Sequence, residues 1–191
     1  MRKILLLCSC FIIFSCTHTD REVTLKIPNK HHEPFNTGDG TPVEVIVLDR
    51  RVEKTHIGIK KFGKESVKIT TQQDLAKKFQ ELLETDLISQ GFIIKSKGNG
   101  QKVITVAIKD FSYKVSKNLI LGTSKVNSYI KVKIKDRRDG KRYYKNYTSS
   151  SNKTHFMGPS KSTDAKNINL LLHESVDNMA YDNKLIDKLA N

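Results

Sequence analysis

Tryptophan is absent from this chain of 191 residues, proline occurs four times, and the three cysteines, Cys8, Cys10 and Cys16, all fall within the first sixteen positions. Beyond Cys16 there is no thiol, so no disulfide staples the fold and its stability must come from burial. Long apolar runs are missing too. The longest, Ile4 to Phe14, is broken by Cys8-Ser9-Cys10 and falls well short of the ~20 residues that a membrane-spanning helix needs. No GxSxG, HExxH, CxxC, Walker or dinucleotide-binding pattern occurs after Cys16. The expectation is a chain without catalytic residues, metal or cofactor.

What the N-terminus does contain is an address. Arg2 and Lys3 precede the apolar segment, and Ile13-Phe14-Ser15-Cys16 closes it. A positive start, a short apolar middle and a small residue before the cut make a secretory signal. The ending resembles the bacterial lipobox, aliphatic-x-small-Cys, in which cleavage precedes the cysteine and a diacylglycerol is joined to its sulfur. Phe14 is bulkier than the usual residue there. Cleavage at Cys10 instead would leave only Ile4 to Leu7 as the apolar segment, so Cys16 is the expected lipidation site. Residues 1–15 are then a signal peptide, and a diacylglycerol with an acyl chain such as palmitate is the only covalent group expected. Thr17, not Asp, follows Cys16, which favours the periplasmic face of the outer membrane over retention at the inner membrane.

Basic residues outnumber acidic ones by 34 to 20, for a net charge of +14 that becomes +12 once Arg2 and Lys3 are removed. Such an excess attracts anionic partners over long range. In an envelope these are phospholipid headgroups, acidic glycan or an acidic protein; nucleic acid fits the charge but not the compartment. A lysine-rich composition that only keeps the surface soluble accounts for the same numbers.

From residue 16 to 41 the chain is polar, with Pro28, Pro34, Gly38 and Gly40, and reads as a tether carrying one extended piece, Val23 to Ile27. His31 and His32 sit in it without convergent metal ligands. A single domain is expected over 42–191. Val43 to Asp49 is a strand with apolar residues on both parities, and Ser66 to Thr70 is a shorter one. Between Gln73 and Gln90 the period becomes helical: Leu75, Phe79, Leu82, Leu83 and Leu87 share one stripe, Thr71 is the expected N-cap, and Gly91 ends the helix in a left-handed turn. Asp86 falls within the stripe and reads as a paired carboxylate or one at its wet end. Val103 to Val115 is the longest strand signal. Its apolar parity switches from Ile104, Val106 and Ile108 to Phe111, Tyr113 and Val115, which predicts a β-bulge near Lys109-Asp110.

Ser128 to Thr148 reads as a hairpin about Asp136 to Gly140. Ile130, Val132 and Ile134 take one face, and Lys131, Lys133 and Lys135 take the other, with Arg142 and Tyr144 from the return strand. Those four cations are the candidate anion-contact face. Solvated lysines on the open side of a sheet would show the same alternation. A second helix opens near Thr163-Asp164 with Ala165, Ile168, Leu172, Val176, Met179 and Ala180 on one face, and Leu185, Ile186 and Leu189 suggest a short final helix. His56, His155 and His173 are isolated.

The order of these features resembles the YajG family of bacterial lipoproteins: the lipobox, the strand Val45 to Arg50, the helix from Asp74-Leu75 through Phe79-Gln80-Glu81-Leu82-Leu83-Glu84 to Gly91-Phe92, and the late helix with Asn169, Met179-Ala180 and Asp182. The likeness covers about Val43 to Leu189 and departs in lysine richness and in the basic hairpin. It implies an outer-membrane lipoprotein with no known catalytic residues. The residues themselves predict an α+β domain in two layers, a mostly antiparallel sheet with two amphipathic helices on one face. The expected role is non-enzymatic: membrane attachment through the lipid, with an anionic envelope component or envelope protein as partner. An assembly factor, like the lipopolysaccharide-assembly lipoproteins, would need a stable protein partner. An envelope hydrolase would need a pocket in which Asp86 or a histidine meets a second titratable group.

Overall fold

The fold is organised along one long strand whose apolar side changes halfway. A computed structural model describes residues 20–27, 37–117, 120–156 and 158–191, so the expected signal peptide, Cys16, His31 and His32 lie outside the described residues. In chain order the elements are β1 (Arg21–Glu22), β2 (Pro42–Asp49), β3 (Gly58–Phe62), β4 (Glu65–Thr70), α1 (Leu75–Ser89), β5 (Ile93–Ile94), β6 (Lys102–Lys117), β7 (Leu121–Asp136), β8 (Arg142–Phe156), α2 (Lys161–Ala180) and α3 (Asn183–Ala190). All eight strands join one sheet.

Strand β6 is the spine. On one edge β7 runs antiparallel along its whole length; on the other, β2 runs parallel to its first half and β3 parallel to its second. Strands β2 and β3 therefore act as one strand interrupted by residues 50–57. The interruption lies where β6 shifts register between Ile108 and Asp110, as the parity switch predicts. On either side of it, Ile104, Val106 and Ile108 and then Phe111, Tyr113 and Val115 all face the core. Arg51 fills the gap, its guanidinium on Asp49 at 2.9 Å and on the carbonyl of His56 at 3.2 Å.

Four of the seven pairings among the described strands are parallel and three antiparallel, so the sheet is mixed and the mostly antiparallel expectation is corrected. Parallel neighbours need a crossover. The path from β4 through α1 to β5 supplies it, so the helix read as a covering layer is also the connection that sets the direction of β5 and β6.

Helices α1 and α2 cover the same sheet face, as expected. The whole apolar stripe of α1 is buried, and Ile168, Leu171, Leu172, Val176 and Met179 of α2 complete the layer. Phe79 meets Phe111 edge to face, with ring centroids 5.8 Å apart. The N-cap of α1 is Asp74, whose side chain accepts from the Lys77 N–H, not Thr71. Gly91 ends the helix with φ +88°. The short α3 buries Leu185, Ile186 and Leu189. Part of the segment read as a tether is packed down: β1 pairs with β4, and Val23 and Leu25 are each 2% exposed.

Candidate functional site

Alternation along β7 decides what the uncovered face displays. Its even-numbered residues from Ser124 to Ile134 are buried under α2, so the odd ones point away from the helices. Lys131, Lys133 and Lys135 therefore stand in one file on the open face. Their partners on β8 are Asn146, Tyr144 and Arg142, and on β6 they are Ala107, Thr105 and Val103. The structure thus brings the four expected cations together. Tyr144 stands among them, 63% exposed. Lys131 Nζ lies 5.7 Å from the centre of the Tyr129 ring, a cation–π arrangement. Lys135 faces Arg142 directly, a like-charge pair that weakens the ladder. None of the six cross-strand neighbours of the three lysines is a carboxylate.

The same face continues beyond the bulge, and there the sequence reading missed a second cluster. Lys114 of β6 is directly opposite Lys125 of β7. In the same cross-strand row stand Lys68 and Ile59 on one side and Asn152 on the other. The next row holds Lys61, Ser116, Thr123 and Thr154, and Ser116 Oγ is 2.8 Å from Thr123 Oγ1. Twist folds these rows into a groove of about 650 Å³ with no carboxylate in its wall. A signal was present: Ser-Lys before residue 118 and Thr-Ser-Lys after 121 mirror each other along the sequence. Small polar residues on both arms hid the hairpin.

Several other titratable groups are tied into the fold. Asp86, Asp177 and His173 line a crevice between the helices of only about 20 Å³, and His173 Nε2 lies 2.8 Å from the Lys26 carbonyl oxygen. Burial, then the charges of Asp86 and Asp177, push the Tyr181 phenol up to about 12. His155 bonds Ser124 at 2.7 Å, and His56 lies beside Glu53. Beneath the groove, on the helix side, Lys60 is 1% exposed and holds Asp164 at 2.8 Å. Asp164 also accepts from the Tyr113 hydroxyl at 2.8 Å and from Arg21 at 3.1 Å. Among the described residues no cluster of three His, Cys, Asp or Glu side chains is arranged to hold a metal ion, and no helix is long and apolar enough to cross a membrane.

Two solved structures share the fold. Protein XCC0632 from Xanthomonas campestris is similar with a TM-score of 0.53 and 9% identity, over 84% of this chain and 91% of that one. An uncharacterized protein is similar with a TM-score of 0.53 and 13% identity, over 84% and 97%. At these identities the likeness speaks for the fold alone. No curated protein matches the sequence significantly. Residues 28–190 match the model of a family described as uncharacterized lipoprotein, and the chain belongs to that family.

Proposed function

We propose that this lipoprotein is a non-enzymatic envelope protein, anchored through acylated Cys16 at the periplasmic face of the outer membrane, whose open sheet face holds an anionic envelope component. One observation carries the reading: Lys131, Lys133 and Lys135 stand in file, with Arg142 opposite Lys135 and no carboxylate among their cross-strand neighbours. Such a file repels itself, and an anion bound across it removes the repulsion. The resemblance to the YajG family supports the location. At Asp86 the non-enzymatic part is supported by a crevice far smaller than the several hundred cubic ångströms of an ordinary ligand pocket; the hydrolase alternative is left with His56, which stands 3.8 Å from Glu53 in a cavity of about 540 Å³.

Two measurements test it. Labelled palmitate should enter the wild-type protein and not Cys16→Ser; equal labelling removes the anchor. Binding of the lipidated protein to isolated acidic envelope glycan should fall at least about tenfold, the effect of ~1.4 kcal/mol, when Lys131, Lys133 and Lys135 are all changed to Glu. Unchanged binding leaves the file as a solvated face.

A further inference from the structure

The groove beyond the bulge lies in register with the place where the chain arrives from Cys16. Asp20 is beside Lys68, whose N–H it accepts through Oδ1 at 3.2 Å. Lys68 belongs to the row that runs through Ile59 to Lys114 and Lys125. Only residues 17–19 separate Asp20 from Cys16, so the backbone of Cys16 is within about 14 Å of Asp20 even with the chain fully extended. Across the sheet, Lys114 is three strands from β1 and Lys125 four, or about 14 and 19 Å at ordinary strand spacing. An anchored molecule thus has this groove beside its own membrane.

Charge decides which side turns toward the lipid. The exposed surface of the helix layer mixes signs, with Lys166, Lys184, Glu174 and Asp187. The groove is of one sign: Lys61, Lys114, Lys125 and Lys153 line it, and among the described residues none of them has an ion pair. Its hydroxyls, Ser116, Thr123 and Thr154, are donors suited to phosphate oxygens. An anionic surface attracts each nearby lysine separately, so the sheet side is drawn down.

We infer that the groove centred on Lys114 and Lys125 docks anionic phospholipid headgroups of the membrane that carries the anchor. This rests on the acylation of Cys16 and adds an orientation: the groove lies on the bilayer. The file at Lys131 to Lys135, about 20 Å farther along β7, is left for a second component.

The test uses the lipidated protein in vesicles of phosphatidylcholine alone or with phosphatidylglycerol, with lysine acylation rates read by mass spectrometry. Lys61, Lys114 and Lys125 should react about tenfold more slowly in the anionic vesicles, while Lys166 and Lys184 on the helix layer stay unchanged. The double variant Lys114→Gln/Lys125→Gln, both positions exposed, should restore fast labelling of Lys61. Equal rates in the two vesicles overturn the proposal, as does equal protection in neutral vesicles by soluble glycerol phosphate, which would make the ligand a free anion. The N-terminal peptide in the same spectra reports on the anchor. A Cys16 without acyl groups removes both the anchor and this inference; an acylated Cys16 with unprotected groove lysines removes this inference alone.

Discussion

Asp164→Ala tests how the N-terminal segment, the sheet and α2 are joined. Asp164 is fully buried in the first turn of α2, and its carboxylate takes Lys60, Arg21 and Tyr113 together. Its removal leaves Lys60, itself 1% exposed, with the Pro159 carbonyl as its remaining acceptor. Breaking a buried pair by removing one partner costs about 3–5 kcal/mol. In a domain of this size that lowers the melting temperature by roughly 6–20 °C, at 2–4 °C per kcal/mol. Urea unfolding followed by circular dichroism should show a lower midpoint at unchanged slope. The double variant Lys60→Met/Asp164→Leu should recover most of the loss, because an apolar pair of similar volume needs no compensation for desolvated charge. Burial first of all, against the opposing pull of Asp164, holds the Lys60 ammonium below its ordinary pKa. From that lowered value up to about 10.4 the unfolded chain binds more protons, so stability rises with pH there, and more steeply in Asp164→Ala. A loss under about 1 kcal/mol, or a double variant no better than the single one, refutes the claim that a stranded ammonium sets the cost.

Three further outcomes follow from the same geometry. Hydrogen bonds from Arg138, then from Lys102, hold the Asp136 carboxyl well below the usual range against the opposing effect of burial; its stabilisation is complete above about pH 4 and fades as pH falls, and Asp136→Asn should flatten that acid dependence in urea titrations at pH 3 and 7. Leu25→Ala should cost about 2–5 kcal/mol in urea unfolding, since Leu25 is 2% exposed, whereas a free tether would give no change. Deleting Lys109 removes the bulge residue and turns Phe111, Tyr113 and Val115 to the open face; at about 1.5–3 kcal/mol for each side chain, the near-ultraviolet circular dichroism of a packed core should vanish.

Sequence periodicity showed most clearly where a residue's face is a local matter. The stripe of α1 and the parity switch at Lys109-Asp110 depend only on neighbours within a few positions, and both appear as read. Strand direction does not. Whether β2 lies parallel to β6 depends on residues about sixty positions apart, and no pattern inside Val43 to Asp49 encodes it. The burial of Lys60 is likewise invisible in Gly58-Ile59-Lys60-Lys61, because only Asp164, 104 positions away, makes it tolerable. The hairpin file at Lys131 was legible because apolar residues alternate with it. The Lys114–Lys125 pair was not, because Ser116, Thr123 and Ser124 carry no hydrophobic signal, and the cross-strand register alone reveals them as neighbours.

The packed N-terminal segment changes what an anchored domain of this kind can reach. A flexible tether of about 25 residues would let the domain wander some 27 Å from its lipid, by the square-root law for flexible chains. Here the chain is packed against the domain from residue 20 to 27. Val23 N–H bonds Thr70 O at 2.9 Å, Lys26 N–H bonds Asn169 Oδ1 at 2.6 Å, and the Asn169 amide returns to Thr24 O at 3.0 Å. These contacts come from the sheet edge and from α2, which are themselves joined through Asp164, Lys60 and Arg21. If Cys16 is acylated as proposed, a force on the lipid is passed directly to the folded core instead of being absorbed by slack chain. With Cys16 as the anchor, partners must come to the membrane surface, because the domain cannot extend far from it. The open basic face, with one end on the side of the proposed anchor and the other at the Asp136 to Gly140 turn, suits a component that is itself held at that surface.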